Sequence, residues 1–184
     1  MTDYSFKVII IGPPAVGKTS LLNRFVHNQF DLKYQLTIGV DFLTKTVEYE
    51  PSKFAKLQIW DIGAQERFKF LHRSFYDGAF GALVVFDLSR QQTFSGMKTW
   101  VSEMRSILNI DIPKVLIGNK SDLISDIGQI IDKNELEEYI KKEGCLYIET
   151  SAKTGENVEH AFIELTHRML RRMENIISNN KEIQ

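Results

Sequence analysis

Short apolar segments alternate with longer amphipathic segments along this chain. Runs rich in Val, Ile, Leu and Phe are typical of strands that are buried on both faces of a sheet. Such runs lie at residues 7–11, 81–86, 114–118 and 145–148. Helical patterns, with apolar residues three or four positions apart, lie between them. This alternation predicts an α/β fold in which helices cover both faces of a mainly parallel sheet.

Two further strand segments have no helix between them. Residues 44–49 and 57–60 are joined across Glu50-Pro51-Ser52-Lys53, which predicts a β-hairpin. Because a hairpin is antiparallel, the sequence predicts a six-stranded sheet with one antiparallel edge strand.

Two helix starts and the end of the last helix can also be located. The spacings Ser89-x-x-Gln92 and Asp132-x-x-Glu135 are those of a capping box, which predicts that a helix begins at each. From about Asn175 the chain is polar. We therefore expect one domain over residues 1–174 and a short frayed tail over residues 175–184.

Composition narrows the possible classes of protein. The 184 residues, 43% of them hydrophobic, suffice for one domain with a sizeable core. The near balance of 23 basic and 24 acidic side chains removes the electrostatic case for binding nucleic acid. A single cysteine, Cys145, excludes an internal disulfide and a multi-cysteine metal site. With no signal peptide and no apolar run of membrane-spanning length, we expect a soluble, cytoplasmic protein. We also expect it to be a monomer.

The segment Gly12-Pro13-Pro14-Ala15-Val16-Gly17-Lys18-Thr19 carries the first chemical signal. It matches the pattern G-x-x-x-x-G-K-[ST] between a strand and a helix, where backbone N–H groups and the helix dipole bind phosphates. The Lys18 ammonium adds charge near the β- and γ-phosphates, and the Thr19 hydroxyl can ligate magnesium. Pro13 and Pro14 have no N–H to donate. The expected nucleotide contacts therefore come from Ala15, Val16, Gly17, Lys18, Thr19 and Ser20.

A second motif, Asn119-Lys120-Ser121-Asp122, indicates which base is bound. The Asp122 carboxylate can accept hydrogen bonds from the N1–H and the exocyclic amine of guanine, whereas adenine has no N1–H and no amine at that position. Such a polar mismatch gives discrimination of roughly 10,000-fold. Ser151-Ala152-Lys153 follows the next strand and makes the signal specific, with the Ala152 N–H expected to face the guanine carbonyl oxygen. Phe30, at the end of the first helix, either covers the base or makes a core contact.

Together these motifs resemble those of the Ras superfamily of small GTPases, and within it the Rab family, over residues 7–170. Rab-like stretches are Ile38-Gly39-Val40-Asp41-Phe42, Lys56-Leu57-Gln58-Ile59-Trp60-Asp61 and Gln65-Glu66-Arg67-Phe68. The resemblance implies a P-loop NTPase fold, which is a three-layer α/β/α sandwich. It also implies a molecular switch in vesicle traffic that binds GTP or GDP with magnesium. No arginine flanks Thr37, so the implied GTP hydrolysis is slow and needs an activating protein.

The resemblance also assigns roles to single residues. Thr37 corresponds to the switch I threonine, which joins Thr19 on magnesium and contacts the γ-phosphate. Asp61 would hold the metal through water, Gln65 would orient the attacking water, and Tyr34 would close over the phosphates. The implied catalytic residues are Gln65, Lys18 and Thr37, and the implied metal ligands are Thr19, Thr37 and Asp61.

Three aromatic residues point to protein partners. Phe42, Trp60 and Phe75 occupy the positions of the aromatic triad that Rab effectors contact. The resemblance implies effectors, an exchange factor and an activating protein that bind here and at the switch loops. Ordinary packing between the hairpin and the switch would explain Trp60 equally well.

The chain departs from the family in switch II. The family pattern is D-x-A-G-Q, whereas this chain has Asp61-Ile62-Gly63-Ala64-Gln65. Ala64 replaces the glycine whose N–H meets the γ-phosphate, and its Cβ restricts the backbone rotation. This predicts an incomplete response to GTP and impaired hydrolysis, and it keeps open a nucleotide-locked binding module or scaffold. A third hypothesis, an ATP-dependent kinase, is disfavoured by the motif at residues 119–122.

The second departure concerns the C-terminal segment. Rab proteins usually end in prenylated cysteines, and no cysteine follows Cys145 here, so either the chain is shorter than the natural protein or it carries no lipid anchor. A basic cluster near the end of the last helix either contacts an anionic membrane or is a solvated helix terminus. Its members are His167, Arg168, Arg171 and Arg172.

Overall fold

We analysed a computed structural model of the chain. It describes residues 3–31, 37, 39–63, 71–128 and 130–181, with the backbone alone at 180 and 181. The elements in chain order are β1 (Tyr4–Ile11), α1 (Lys18–His27), β2 (Val40–Glu50), β3 (Lys53–Ile62), α2 (His72–Tyr76), β4 (Gly81–Asp87), α3 (Gln91–Leu108), β5 (Lys114–Asn119), α4 (Ile124–Ile127), α5 (Lys133–Glu143), β6 (Leu146–Thr150) and α6 (Val158–Lys181).

The strands form one six-stranded sheet in the order β2-β3-β1-β4-β5-β6. Strand β2 pairs with β3 antiparallel, and the other neighbours are parallel. This confirms the predicted sheet, including its antiparallel edge strand. Since parallel strands end at the same edge, the loops after β1, β3, β5 and β6 meet there, which is where open α/β sheets bind ligands.

Helices cover both faces of the sheet, as predicted for a three-layer sandwich. Residue Ile10 of β1 belongs to a core with α1 and α6, where the Phe25 and Phe162 rings stack with centroids 3.7 Å apart. Its neighbours Ile9 and Ile11 point the other way, into a core with α3. All residues of β4 are buried, because a central strand packs on both of its faces.

Of the two predicted helix starts, the N-cap at Asp132 is confirmed, although the capping box is incomplete because the Asp132 N–H donates to Gln91 Oε1 rather than to Glu135. The Asp132 carboxylate caps α5 by accepting a hydrogen bond from the Glu135 N–H. The prediction for Ser89 is wrong, because α3 begins at Gln91 and has no side-chain cap. The Ser89 hydroxyl instead donates to the Asp87 carboxylate at 2.5 Å, and this charge-assisted hydrogen bond orients the side chain toward Asp87.

The structure also corrects the predicted end of the last helix. Helix α6 continues to Lys181 rather than fraying from Asn175, because no proline or glycine lies between 158 and 181 to break it. The last strand begins at Leu146 instead of Cys145. Helices α2 and α4 are too short to show the helical spacing of apolar residues, so the sequence does not predict them. None of the helices in the described part of the chain could cross a membrane.

Candidate functional site

The turn between β1 and α1 has two glycines that no other residue could replace without displacing neighbouring atoms. Gly12 has φ of 143° and Gly17 has φ of 95°, in the region that disfavours L side chains. A Cβ on Gly12 would lie 2.1 Å from the Val85 carbonyl oxygen, and one on Gly17 would lie 2.4 Å from Asn119 Nδ2. The loop therefore packs directly on β4 and on the end of β5.

Lys18 is buried at the start of α1. Its ammonium donates hydrogen bonds to the carbonyl oxygens of Gly12 at 2.8 Å and Pro13 at 2.9 Å. Burial lowers its pKa to about 8, although the nearby Asp61 carboxylate opposes this shift. An anion in the loop would raise the pKa again, so the charged form of Lys18 is best stabilised when a phosphate is present.

Three oxygen-bearing side chains predicted to hold magnesium meet beside this lysine. The Thr19 hydroxyl lies 2.8 Å from the Thr37 hydroxyl and donates to the Asp61 carboxylate. Thr37 Oγ1 lies 3.4 Å from Asp61 Oδ2. The structure thus brings Thr19, Thr37 and Asp61 together from three separate segments.

The residues of this cluster fit a magnesium ion. Asp61 is fully buried, and burial raises the pKa of its carboxyl against the opposing effect of Thr19 and Lys18. Its Oδ1 has no hydrogen-bond partner among the described residues. A buried carboxylate oxygen without a partner, next to two hydroxyls, is a donor set suited to a hard divalent cation, which in such sites takes its remaining ligands from phosphate and water.

Asn119 connects the phosphate loop to the loops that follow β5 and β6. Its Nδ2 donates to the Val16 carbonyl oxygen at 2.8 Å. Its Oδ1 accepts from the Thr150 hydroxyl at 3.1 Å and from the Ala152 N–H at 3.2 Å. The side chain is buried, so its amide oxygen and one amide donor serve to hold three chain segments in place.

The residues expected to recognise the base lie around this asparagine. Asp122 accepts a hydrogen bond from the Ser151 hydroxyl at 2.6 Å, and the Lys153 ammonium lies 3.9 Å from its other oxygen. The Ala152 N–H, expected to face a guanine oxygen, here donates to Asn119. A guanine contact would therefore have to share or replace this 3.2 Å hydrogen bond.

Lys120 also binds the phosphate loop. Its ammonium donates to the Ala15 carbonyl oxygen at 3.0 Å and pairs with Asp87 Oδ2 at 2.7 Å. Ala15 has φ of 61°, which is rare for a residue with a Cβ. The loop's unusual backbone is thus stabilised from the loop that follows β5.

Sequence analysis missed three residues that support this site. Arg24 donates to the carbonyl oxygens of Ala152 at 2.9 Å and Lys153 at 2.7 Å. Arg90 and Asp87 lie together beside the phosphate loop, with Arg90 Nε 2.8 Å from Asp87 Oδ2. None of the three is a defining residue of a motif, and their contacts with Ala152, Ala15 and Lys120 join segments far apart in the chain.

The remaining predicted residues fall into three groups. Ser20 is half-buried in α1, and Phe30 packs against the core shared by α1 and α6, which supports the core-contact alternative. Tyr34, Ala64 and Gln65 lie outside the described residues.

The three aromatic residues form one contiguous group. The Trp60 ring centroid lies 5.3 Å from that of Phe42 and 6.5 Å from that of Phe75. Phe42 is 46% exposed, which is high for a large apolar side chain. The Lys7 ammonium lies 4.3 Å from the Trp60 ring, so the group combines apolar surface with a cation.

Comparisons with known proteins agree with this geometry. The Ras family model matches residues 7–171. The chain is 41% identical to Ras-related protein RABA1c of Arabidopsis thaliana over 163 residues, which is 89% of this chain and 74% of that protein. It is 42% identical to Ras-related protein Rab11A of Lotus japonicus over 160 residues, 87% of this chain and 70% of that protein. The chain therefore belongs to the Ras family and is a Rab-like small GTPase, an enzyme that hydrolyses GTP.

Proposed function

We propose that this GTPase is a magnesium-dependent molecular switch that alternates between GTP- and GDP-bound forms. The observation that carries the proposal is the joining of two motifs: Asn119 and Lys120 hydrogen-bond to the Val16 and Ala15 carbonyl oxygens. One structural unit thus recognises both the base and the phosphates. Asp122, next to this unit, would accept hydrogen bonds from guanine.

In this proposal Lys18 and the loop N–H groups from Ala15 onward bind the phosphates, while Thr19, Thr37 and Asp61 hold magnesium. When bound, the ion would neutralise charge on the phosphates. Gln65 would orient the attacking water. Positioning and charge neutralisation are the main requirements of phosphoryl transfer, so these groups suffice for slow hydrolysis.

The switch would work through Thr37. Its hydroxyl contacts Thr19 and Asp61 from a segment outside the sheet. When the γ-phosphate leaves, Thr37 loses one of its partners, and the segment that carries it is released. Switch II would respond through Gly63, whose N–H donates to the Gly39 carbonyl oxygen at 2.9 Å.

The proposed partners of the switch are protein effectors that contact Phe42, Trp60 and Phe75, together with an exchange factor and an activating protein. A contiguous apolar patch beside the switch loops suits a partner that discriminates between nucleotide states. By analogy with Rab proteins, we place the role in membrane traffic, with a cytoplasmic monomer acting at the cytosolic face of membranes.

A nucleotide-locked scaffold is not favoured, because the chain belongs to a family of GTP-hydrolysing enzymes. Whether Ala64 slows hydrolysis is tested by comparing GTP turnover of the natural chain with that of an Ala64→Gly variant. Faster turnover of the variant is expected, and equal rates would show that Ala64 does not limit the reaction.

Competition for bound nucleotide tests the proposal directly. The full chain is loaded with a fluorescent GDP analogue, and GTP, GDP and ATP are titrated with magnesium or with excess chelator. We expect GTP and GDP to displace the analogue and ATP to fail at a thousandfold higher concentration. Removing magnesium should accelerate release. Displacement by ATP as effective as that by GTP would refute guanine specificity, and release that is indifferent to magnesium would refute the metal site.

A further inference from the structure

Two cationic side chains donate hydrogen bonds to the same carbonyl oxygen of the phosphate loop. Lys120 belongs to the guanine motif and reaches the Ala15 oxygen at 3.0 Å. Arg90, at the start of α3, reaches the same oxygen with Nη2 at 2.9 Å. Both side chains also contact Asp87 Oδ2, Lys120 at 2.7 Å and Arg90 Nε at 2.8 Å. The guanidinium thus bridges the buried carboxylate and the loop.

The loop needs such support at Ala15. This residue has φ of 61°, a conformation that its Cβ disfavours. Pro13 and Pro14, which precede it, contribute no N–H. The Ala15 backbone therefore carries the first N–H after the two prolines, and its conformation sets the orientation of the peptide that follows.

That peptide links Ala15 to Val16. In a trans peptide the carbonyl oxygen and the N–H point in opposite directions. Cations that fix the Ala15 oxygen on one side therefore fix the Val16 N–H toward the other side. A cation on the oxygen also polarises the peptide and makes its N–H a stronger donor.

Arg90 is itself held in place. Asp87 is 1% exposed, and its Oδ1 accepts from the Ser89 N–H at 2.9 Å and from the Ser89 hydroxyl at 2.5 Å. The other carboxylate oxygen of Asp87, Oδ2, therefore contacts Lys120 and Arg90. A guanidinium can donate to two acceptors at once in a fixed geometry, whereas an ammonium is a single point charge.

We propose that Arg90 is a positioning residue for nucleotide binding, which fixes the Ala15–Val16 peptide so that the Val16 N–H is presented to the phosphates. This inference rests on the proposed guanine-nucleotide site. Arg90 acts on the phosphate side of that site, while Asp122 and Asn119 remain intact when it is changed. Its removal therefore shortens the retention of the diphosphate without changing the preference for guanine.

The test is the dissociation rate of fluorescent GDP from the full chain with magnesium. We expect Arg90→Ala to release GDP about tenfold faster, the low end for a hydrogen bond to a charged group because the guanidinium is partly exposed. Arg90→Lys should accelerate release only about threefold, since an ammonium keeps the positive charge but lacks the planar guanidinium geometry that donates to two acceptors at once. Arg171→Ala, an exposed arginine on α6, is the matched control and should leave the rate unchanged. All variants should still prefer GDP to ADP.

A second readout separates positioning from a structural role. In nitrogen-15 spectra of the GDP-bound chain, the Val16 amide proton should move upfield in Arg90→Ala and in Arg90→Lys, because its peptide is less polarised. If Arg90→Ala does not fold, the GDP release rate and the Val16 amide proton shift of Arg90→Lys test the inference instead.

Two results would overturn the inference and leave the proposed function standing. One is a GDP release rate within twofold of wild type in a folded Arg90→Ala variant. The other is an Arg90→Ala variant that melts at a lower temperature than wild type while its Val16 amide proton shift is unchanged. That result would indicate a structural role alone. A wild-type chain that binds no guanine nucleotide would overturn the proposed function, and this inference with it.

Discussion

Asn119 donates a 2.8 Å hydrogen bond to the carbonyl oxygen of Val16, and this contact joins the guanine motif to the phosphate loop. The two residues lie 103 positions apart in the chain. Parallel strands bring them together, because β1 and β5 both end at the same edge of the sheet. We therefore expect affinity for the base and affinity for the phosphates to be coupled through this one buried amide.

Removing this amide should weaken the fold as well as the site. Asn119→Ala leaves the Val16 carbonyl, the Thr150 hydroxyl and the Ala152 N–H without their partner. A buried polar group that loses its partner costs about 1–3 kcal/mol, so we expect the free energy of unfolding to fall by about 3 kcal/mol. Urea denaturation measures it. Asn134→Ala, at an exposed position of α5, should change it by less than about 0.5 kcal/mol, and equal losses in both variants would contradict the account.

Asp122 should determine which base is bound. An aspartate accepts from the N1–H and the amine of guanine, whereas an asparagine in its place would offer an N–H to the extra carbonyl of xanthine. We expect Asp122→Asn to lose affinity for GDP by about a thousandfold and to gain affinity for xanthosine diphosphate. Competition against a fluorescent nucleotide measures both. Asp126→Asn, an exposed neighbour in α4, is the control and should keep the wild-type order of nucleotide affinities. An unchanged guanine preference in Asp122→Asn would show that Asp122 does not recognise the base.

The close packing around Gly63 should position Thr37 in this chain, whose glycine stands where the family pattern D-x-A-G-Q has alanine. A Cβ at this position would lie 2.6 Å from the Thr37 carbonyl oxygen and 2.7 Å from the Gly39 carbonyl oxygen. Backbone must therefore move, and we expect the move to displace Thr37 relative to Thr19 and Asp61. We expect Gly63→Ala to weaken magnesium-dependent retention of GTP by about tenfold, measured as the ratio of GTP release rates with chelator and with magnesium. A ratio equal to that of wild type would show that this close approach does not position Thr37.

Asp87 should stabilise the protein only above acidic pH. Burial would raise the pKa of its carboxyl, but hydrogen bonds from Lys120 and Ser89 together outweigh burial and hold the pKa below 3.8. The unfolded chain then takes up this proton before the folded chain does, so the stabilisation is complete above about pH 4 and is lost as the pH falls through the folded-state pKa.

Asp87→Asn should therefore cost about 2 kcal/mol at pH 7, less than for a fully buried ion pair because Lys120 and Arg90 are partly exposed. The difference in free energy of unfolding between the two proteins should narrow as the pH is lowered from 4 toward 3. Urea denaturation at each pH gives the difference. A gap of constant size over this range would assign the cost to lost packing rather than to the charge.

Much of the site follows from the sequence because its chemistry is local. The loop from Gly12 to Thr19 requires glycines and a lysine at fixed spacing, and the Asp132 cap bonds three residues away, so both can be recognised in a short window. The buried strands are equally visible, since a central strand must be apolar on both faces.

The residues that sequence analysis misjudged or missed make contacts that no motif spacing encodes. Ser89 has the spacing of a helix cap, yet its hydroxyl donates to the Asp87 carboxylate two positions away. Arg90 looks like any exposed arginine, and only the fold shows that it reaches Ala15, 75 positions away. Arg24 contacts a loop 128 positions distant. Spacing along the chain carries no information about such neighbours.

Single-turnover hydrolysis of GTP tests the central claim most directly. The full chain is loaded with GTP, magnesium is added, and phosphate release is followed for several hours beside a Lys18→Ala control and beside ATP. The account predicts one phosphate per chain, at a rate no higher than the order of 10⁻⁴–10⁻³ s⁻¹ of small GTPases without their activating protein, with none from ATP and none above background from the control. Release that matches the Lys18→Ala background, or equal release from ATP, would contradict it.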